Sequence, residues 1–112
     1  MMTDKLVVII STSDPEKALT GMMYAINTVK NHWMEEVKLF FFGPAEELLL
    51  RDLSLQQSLK DYQAINEAAI ACKFLSDRES TSEQIAALGV KVEYVGTMIS
   101  NLIKDGYAPM VW

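Results

Sequence analysis

Uninterrupted apolar runs of strand length are the feature that most constrains the fold of this chain. The first uninterrupted run is Leu6–Ile10, within the segment Lys5–Ser11. The second is Leu39–Phe42, within the segment Val37–Phe42. A strand with one face in water alternates apolar and polar residues, whereas a strand covered by helices on both faces is apolar throughout. The two runs therefore predict buried strands of a parallel sheet.

Segments with helical spacing separate the two runs and follow the second. Ser13–Glu16 has the spacing of a capping box and a proline suited to a first helical turn. The apolar residues that follow recur three or four apart: Leu19, Met22, Met23, Ile26, Val29 and Trp33. Gly43-Pro44 ends the second strand and opens a leucine-rich helix that carries Leu48, Leu49, Leu50 and Leu53. From Ser54 onward, an amphipathic helix is predicted from the stripe Leu55, Leu59, Tyr62, Ile65 and Ala69.

The second half of the chain repeats the alternation of strand and helix. Ala69–Leu75 is predicted as the third strand and Ser76–Ser80 as a polar loop. The remaining predictions are a helix between the capping-box spacing Ser80–Glu83 and Gly89, a fourth strand at Val90–Val95, a helix from about Thr97 to Gly106, and a terminal strand at Tyr107–Trp112. Pro109 predicts an edge position for the last strand, because proline cannot donate to a central ladder.

This order indicates an α/β protein with three α/β/α layers around a mainly parallel, five-stranded sheet. The 112 residues contain no linker rich in Pro, Gly or Ser and no internal repeat, so we expect a single domain over residues 1–112.

Charge and hydropathy exclude several classes of partner. Fifteen acidic side chains against ten basic ones give a formal net charge of −5, so there is no basic field to attract nucleic acid or an anionic membrane surface. The apolar runs are far shorter than the roughly 20 residues of a membrane-spanning helix. No secretory signal is evident at the N-terminus, and we expect a cytoplasmic protein.

Cys72 is the one cysteine of the chain and His32 its one histidine. With one residue of each type, an intramolecular disulfide, an all-protein Cys/His zinc site and a CxxC redox pair are excluded. The sequence also contains no glycine-rich phosphate motif, so no metal or cofactor is expected. His32 fits a helix-terminal cap. The methionines fit core filling, Ser11–Ser13 fits helix capping, and the adjacent Glu46 and Glu47 are interpreted as solvated charge.

Cys72 is the candidate catalytic residue. It is predicted close to the carboxyl end of the third strand, the edge at which open α/β sheets bind ligands. A thiolate there could be stabilised by a nearby cation or helix start, with Lys73, Ser76 and Ser80-Thr81 as candidates. The alternative is that Cys72 is a buried small hydrophobe.

The order of these segments resembles the DsrE/DsrF-like proteins over nearly the whole chain. The resemblance lies in the first apolar strand, Asp14–Ala18 opening a long helix, Phe40–Pro44 before a leucine-rich helix, the cysteine of the third strand, and the closing Gly106–Ala108. It implies a small α/β domain that assembles into trimers or hexamers and passes sulfur as a cysteine persulfide between donor and acceptor proteins. It also implies that Cys72 carries the sulfur. The second thiol or Arg-Gly pair that many members have shortly after this cysteine is missing from Phe74–Glu79, which excludes a dithiol mechanism.

Two functional hypotheses follow. In the first, the chain is a cytoplasmic sulfur-relay protein that holds a persulfide on Cys72. In the second, it is a non-catalytic homo-oligomeric module that binds a small ligand or partner, and Cys72 is structural. A flavodoxin-like electron carrier is disfavoured, because the loop after the first strand lacks glycine.

Overall fold

One parallel sheet of five strands organises the computed structural model, which describes residues 3–112. The strands are β1 (Lys5–Ile10), β2 (Glu36–Phe41), β3 (Ile70–Cys72), β4 (Lys91–Glu93) and β5 (Ala108–Val111), in the order β4-β3-β2-β1-β5. The helices are α1 (Pro15–Lys30), α2 (Pro44–Arg51), α3 (Leu53–Gln63), α4 (Lys73–Arg78), α5 (Ser82–Ala86) and α6 (Val95–Lys104). The predicted three-layer α/β/α class is confirmed.

β1 is an interior strand of the sheet and is buried on both faces, as its apolar composition predicts. It pairs along its whole length with β2 on one side and over four residues with β5 on the other. Val7, Val8 and Ile10 have no exposed surface. β5 lies at the edge of the sheet, which confirms the position predicted from Pro109.

The two faces of the sheet are covered to different extents. On the first face, α1, α2, α3 and α5 contribute buried apolar residues to the larger core cluster. On the second face the smaller cluster contains Val7, Ile9, Phe40, Cys72, Val95 and Tyr107, with partly buried residues of α4 and α6 around it. Among the helices of residues 3–112, none has the combination of length and hydropathy that a membrane span requires.

The start of α1 differs by one residue from the capping-box prediction. Asp14, and not Ser13, is the N-cap, and its carboxylate accepts a hydrogen bond of 3.0 Å from the N–H of Glu16. Pro15 occupies the first turn as expected. The helix ends at Lys30 and His32 has a φ of 54°, so Trp33 lies beyond the helix and is 56% exposed rather than part of its apolar stripe.

The third strand is shorter than predicted. Only Ile70–Cys72 is strand, and α4 begins at Lys73 and takes up most of the predicted polar loop. The i,i+4 ion pair between Lys73 and Asp77, with 2.8 Å between Nζ and Oδ2, stabilises this helix locally. Ser76 is buried and its hydroxyl lies 2.6 Å from that of Ser82, a contact between α4 and the start of α5 that periodicity does not show.

Two other predicted helices have different limits. α3 ends at Gln63, so Ile65 and Ala69 do not belong to it. The Gln63 side chain accepts a 2.9 Å hydrogen bond from the N–H of Ala69 and replaces the helical bonds there. Before α5, Ser80 has a φ of 58° and the N-cap is Thr81, without a side-chain cap bond.

Gly21 of α1 is packed against the end of the chain. A Cβ at this position would lie 2.6 Å from Cδ1 of Ile10 and 2.7 Å from Cγ of Trp112. Trp112 is held there by its backbone, since its carbonyl accepts hydrogen bonds from the N–H groups of Ser11 (2.8 Å) and Thr12 (3.2 Å). The glycine therefore permits the close approach of α1 to the ends of β1 and β5.

We predict that Gly21→Ala lowers the free energy of unfolding by about 1–2 kcal/mol, because overpacking outweighs the gain of about 1 kcal/mol in helix propensity. Urea unfolding measures this change. Gly96→Ala in α6 is the matched control, since nothing lies within 4 Å of its added Cβ, and it should leave stability equal or higher. Equal effects of the two substitutions would contradict the packing argument.

Candidate functional site

Cys72 is the last residue of β3, at the carboxyl edge of the sheet. It pairs with Glu93 of β4 and is the N-cap of α4. The residue is 6% exposed and packs in the smaller core cluster on the second face. The predicted position at the strand end is thus observed, together with the burial that the structural alternative expects.

Three exposed aromatic residues lie at the same edge, close in sequence to the ends of neighbouring strands. Phe42 directly follows β2, Phe74 is two residues beyond Cys72, and Tyr94 directly follows β4. Their exposed fractions are 37%, 63% and 63%. We call these three residues the aromatic rim. Large apolar rings exposed together are typical of interaction surfaces.

Lys73, a candidate from the sequence to stabilise a Cys72 thiolate, makes its contacts with Asp77 and Tyr94 instead. Its Nζ lies 2.8 Å from Oδ2 of Asp77 and 5.8 Å from the centre of the Tyr94 ring. The hydrogen bond with Asp77 raises the pKa of Lys73, and the same bond lowers the pKa of Asp77. Of the other candidates, the hydroxyl of Ser76 donates a hydrogen bond to the carbonyl oxygen of Lys73 and lies 2.6 Å from the hydroxyl of Ser82, so its hydrogen bonds are made with these two residues.

Glu46 is the functional candidate that the sequence interpretation missed. The adjacent pair Glu46-Glu47 predicts solvated charge, but Glu46 is only 4% exposed, whereas Glu47 is exposed. Glu46 is the third residue of α2, after the N-cap Gly43. A glutamate at this position commonly reaches back to the N–H of the cap, which is the one sequence signal that could have indicated an inward side chain.

The environment of the Glu46 carboxyl is apolar and incompletely satisfied. Burial raises its pKa to about 7, and the backbone N–H groups of Gly43 and Cys72 have the opposite, smaller effect. Neither N–H reaches good hydrogen-bond geometry, so both carboxyl oxygens lack a partner among residues 3–112. The carboxyl of α2 thus lies close to the backbone of Cys72.

The turn that positions Glu46 depends on Gly43. Its φ is 88°, a conformation that other residues rarely adopt, and a Cβ there would lie 3.2 Å from Oγ of Ser11. The same residue therefore brings the β2–α2 turn against the loop after β1. In that loop Thr12 Oγ1 accepts a 3.0 Å hydrogen bond from the N–H of Asp14, so Thr12 supports the cap residue, and the cap of α1 itself is Asp14 rather than Ser11–Ser13.

A cleft of about 480 Å³ opens beside this turn. It is lined by Gly43, Pro44, Glu46, Glu47, Leu75, Arg78, Glu79 and Thr81. These residues come from the start of α2, from α4 and from the segment before α5, near the carboxyl ends of β2 and β3, where α/β proteins bind ligands. His32 lies far along the chain from these elements and is exposed. Within residues 3–112, no three His, Cys, Asp or Glu residues are grouped so that they could hold a metal ion.

Comparison with solved structures identifies two with this fold. The conserved protein of unknown function BT1422 from Bacteroides thetaiotaomicron superposes with a TM-score of 0.87 at 22% identity, over 97% of this chain and 95% of that one. The YchN protein of E. coli superposes with a TM-score of 0.75 at 18% identity, over 96% of this chain and 99% of that one. No protein-family model and no curated protein sequence matches the chain significantly. The shared architecture therefore rests on three-dimensional similarity.

We predict that Glu46 makes the protein less stable as the pH rises from about 4.5 to 7. The carboxyl has a higher pKa in the folded chain than its ordinary value of 4.5, so the folded state binds the proton more tightly than the unfolded state does. The stability contributed by this bound proton is lost as the pH rises through the folded pKa. The loss should be on the order of 1–3 kcal/mol, measured by urea unfolding at pH 5 and pH 8.

Glu46→Gln should be less sensitive to pH in this interval, whereas Glu47→Gln, at an exposed neighbouring position, should behave like the wild type. An unchanged pH dependence in Glu46→Gln would show that the carboxyl titrates normally.

Proposed function

We propose that this chain is a cytoplasmic sulfur-relay protein of the DsrE/DsrF-like kind, which carries sulfur as a persulfide on Cys72. The observation that carries the proposal is the position of the cysteine, at the carboxyl end of β3 and next to the exposed aromatic rim. The order of strands, helices and cysteine along the chain, which resembles that family, supports it.

One thiol is sufficient for this chemistry. The Cys72 thiolate attacks the outer sulfur of a donor persulfide, so that a new S–S bond forms while the donor's S–S bond breaks and the donor leaves as a thiolate. An acceptor thiolate then attacks the outer sulfur in turn, and Cys72 leaves as a thiolate. No external oxidant or reductant is required. With 6% of the residue exposed, solvent oxidants have little access, which favours a carrier over irreversible oxidation.

The aromatic rim is the proposed docking surface for the sulfur donor and acceptor proteins. Exposed Phe and Tyr side chains contribute large apolar areas to protein interfaces at low entropic cost. Phe74 is separated from Cys72 by a single residue, so a partner that covers its ring reaches the immediate neighbourhood of the thiol.

Self-association into a trimer or hexamer is the second part of the proposal, and the face of α6 supports it. Of the ten residues of α6 only Val95 is buried. Ile103 is 46% exposed, and Val111 at the edge strand β5 is 62% exposed. A second copy of the chain would bury this apolar face and complete the thin second layer over the sheet.

A non-catalytic module with a structural Cys72 is the competing function. The burial of Cys72 among apolar side chains favours it, and in that case the cleft beside Glu46 would be the ligand site. The two functions make opposite predictions for the chemistry of the thiol.

We predict that incubation with a charged sulfurtransferase adds the mass of one sulfur atom to the wild-type chain and none to Cys72→Ser, as intact-mass spectrometry detects. If the donor is shown to be charged and the wild-type mass does not change, the carrier function is wrong.

Phe74→Ala should lower the rate of loading several-fold without changing its end point, because the substitution removes docking area and leaves the thiol in place. Leu53→Ala is the matched control, since Leu53 is 80% exposed at the start of α3, away from the rim.

We predict a homo-oligomer in solution whose mass, measured by light scattering, falls to that of a monomer in Ile103→Glu. A charge at a half-exposed position of a free helix costs a monomer little, but it is costly within an apolar interface. The control is Ser100→Glu, at an exposed polar position of α6. A monomeric wild type at micromolar concentration would contradict the assembly.

A further inference from the structure

The two carboxyl oxygens of Glu46 are buried hydrogen-bond acceptors without a donor among the described residues. Such groups are uncommon, because an unpaired buried polar atom loses its hydration and gains nothing in return. The helix position accounts for the direction of the side chain, but not for the missing partners. A ligand with a hydrogen-bond donor would satisfy them.

The cleft beside Glu46 offers room for such a donor. Glu46 lines the cleft, and Pro44 and Leu75 give it apolar wall area. The oxygens themselves are closed off from solvent, so a ligand reaches them after a rotation of the Glu46 side chain. That rotation moves the carboxyl away from the backbone N–H groups of Gly43 and Cys72, neither of which forms a hydrogen bond of good geometry with it.

The charges around the cleft favour a cation. Besides Glu46, three charged side chains line the cleft: Glu47 from α2, Arg78 from α4 and Glu79 directly after α4. Thr81, the lining residue just before α5, is uncharged. Arg78 is paired with Glu79, with 3.3 Å between Nε and Oε1. The charges of Arg78 and Glu79 cancel each other, so the net charge of the lining comes from the two glutamates of α2 and is negative when both are ionised. From β3, Cys72 contributes its backbone N–H and no cation.

We propose that this cleft binds a small molecule with a protonated amine, which pairs with the carboxylate of Glu46 while the carbon chain lies against Pro44 and Leu75. The site is independent of the persulfide proposal, since it uses none of the chemistry of the Cys72 thiol. Binding is coupled to protonation, because the carboxyl must lose its proton before it can pair with an ammonium group.

The experiment uses three probes with the same three-carbon skeleton, propylamine, propionamide and propionate, titrated into the ¹⁵N-labelled protein at pH 8 and followed by NMR. Propylamine is expected to shift the amide signals of Gly43, Glu46 and Cys72 in a saturable way, and propionate is expected not to. Propionamide should bind more weakly than the amine. Equal shifts with all three probes, or no saturable shift with propylamine, would overturn the proposal.

Variants separate this site from the sulfur chemistry. Glu46→Gln should weaken propylamine binding at least about tenfold, the range expected when a charged partner is removed. Glu47→Gln should change it by less, and Cys72→Ser should bind like the wild type even if persulfide loading fails. Unaltered binding in Glu46→Gln would contradict the assigned carboxylate.

The wild type provides a test that does not depend on how the variants fold. With a carboxyl pKa of about 7, propylamine should bind about tenfold more weakly at pH 6 than at pH 8, because only the ionised fraction is competent. Equal affinity at the two pH values would also overturn the proposal.

Discussion

The burial of β1 on both faces is the constraint on which the rest of the structure depends. Val7, Val8 and Ile10 are fully buried, and each such side chain contributes roughly 1.5–3 kcal/mol relative to exposure. Because β1 is an interior strand, its backbone groups must also be paired on both sides, and β2 and β5 provide these partners. The helices then have to cover two apolar faces, and the ends of all parallel strands come to one edge of the sheet.

The helices cover the two faces of the sheet to different extents, and this difference determines where a functional site can lie. Four helices close the first face. On the second face, Cys72 lies beneath the thinner layer formed around α6, and the rings of Phe74 and Tyr94 are exposed at its edge. The Glu46 carboxyl lies close to the backbone of Cys72, and Leu75 of the cleft lining packs against the cluster that contains Cys72, but the Cys72 side chain does not line the cleft. A sulfur-relay site and an amine site could therefore occupy the same edge without sharing a side chain.

Most of the fold could be predicted from the sequence, because strand and helix patterns are local. The apolar run of β1, the cap and proline of α1 and the edge role of Pro109 agree with the structure within one or two residues. The prediction failed where the chain turns from one element into the next against the local pattern. Ala69–Leu75 has the composition of a strand, yet the chain turns into α4 after Cys72, where Ser76 is buried against Ser82. Trp33 continues a helical spacing, but the helix ends before it.

By itself, the sequence determined the α/β alternation, the parallel sheet and the place of Cys72 in the third strand, because each follows from the order of residues along a short segment; that this strand ends at Cys72 was decided by the tertiary structure. Only the tertiary structure decided that Glu46 is buried and Glu47 exposed. The two are chemically identical neighbours, and nothing in their composition distinguishes them. What separates them is the direction of each side chain from α2, and that depends on the Gly43 turn and on the strand end against which the helix packs.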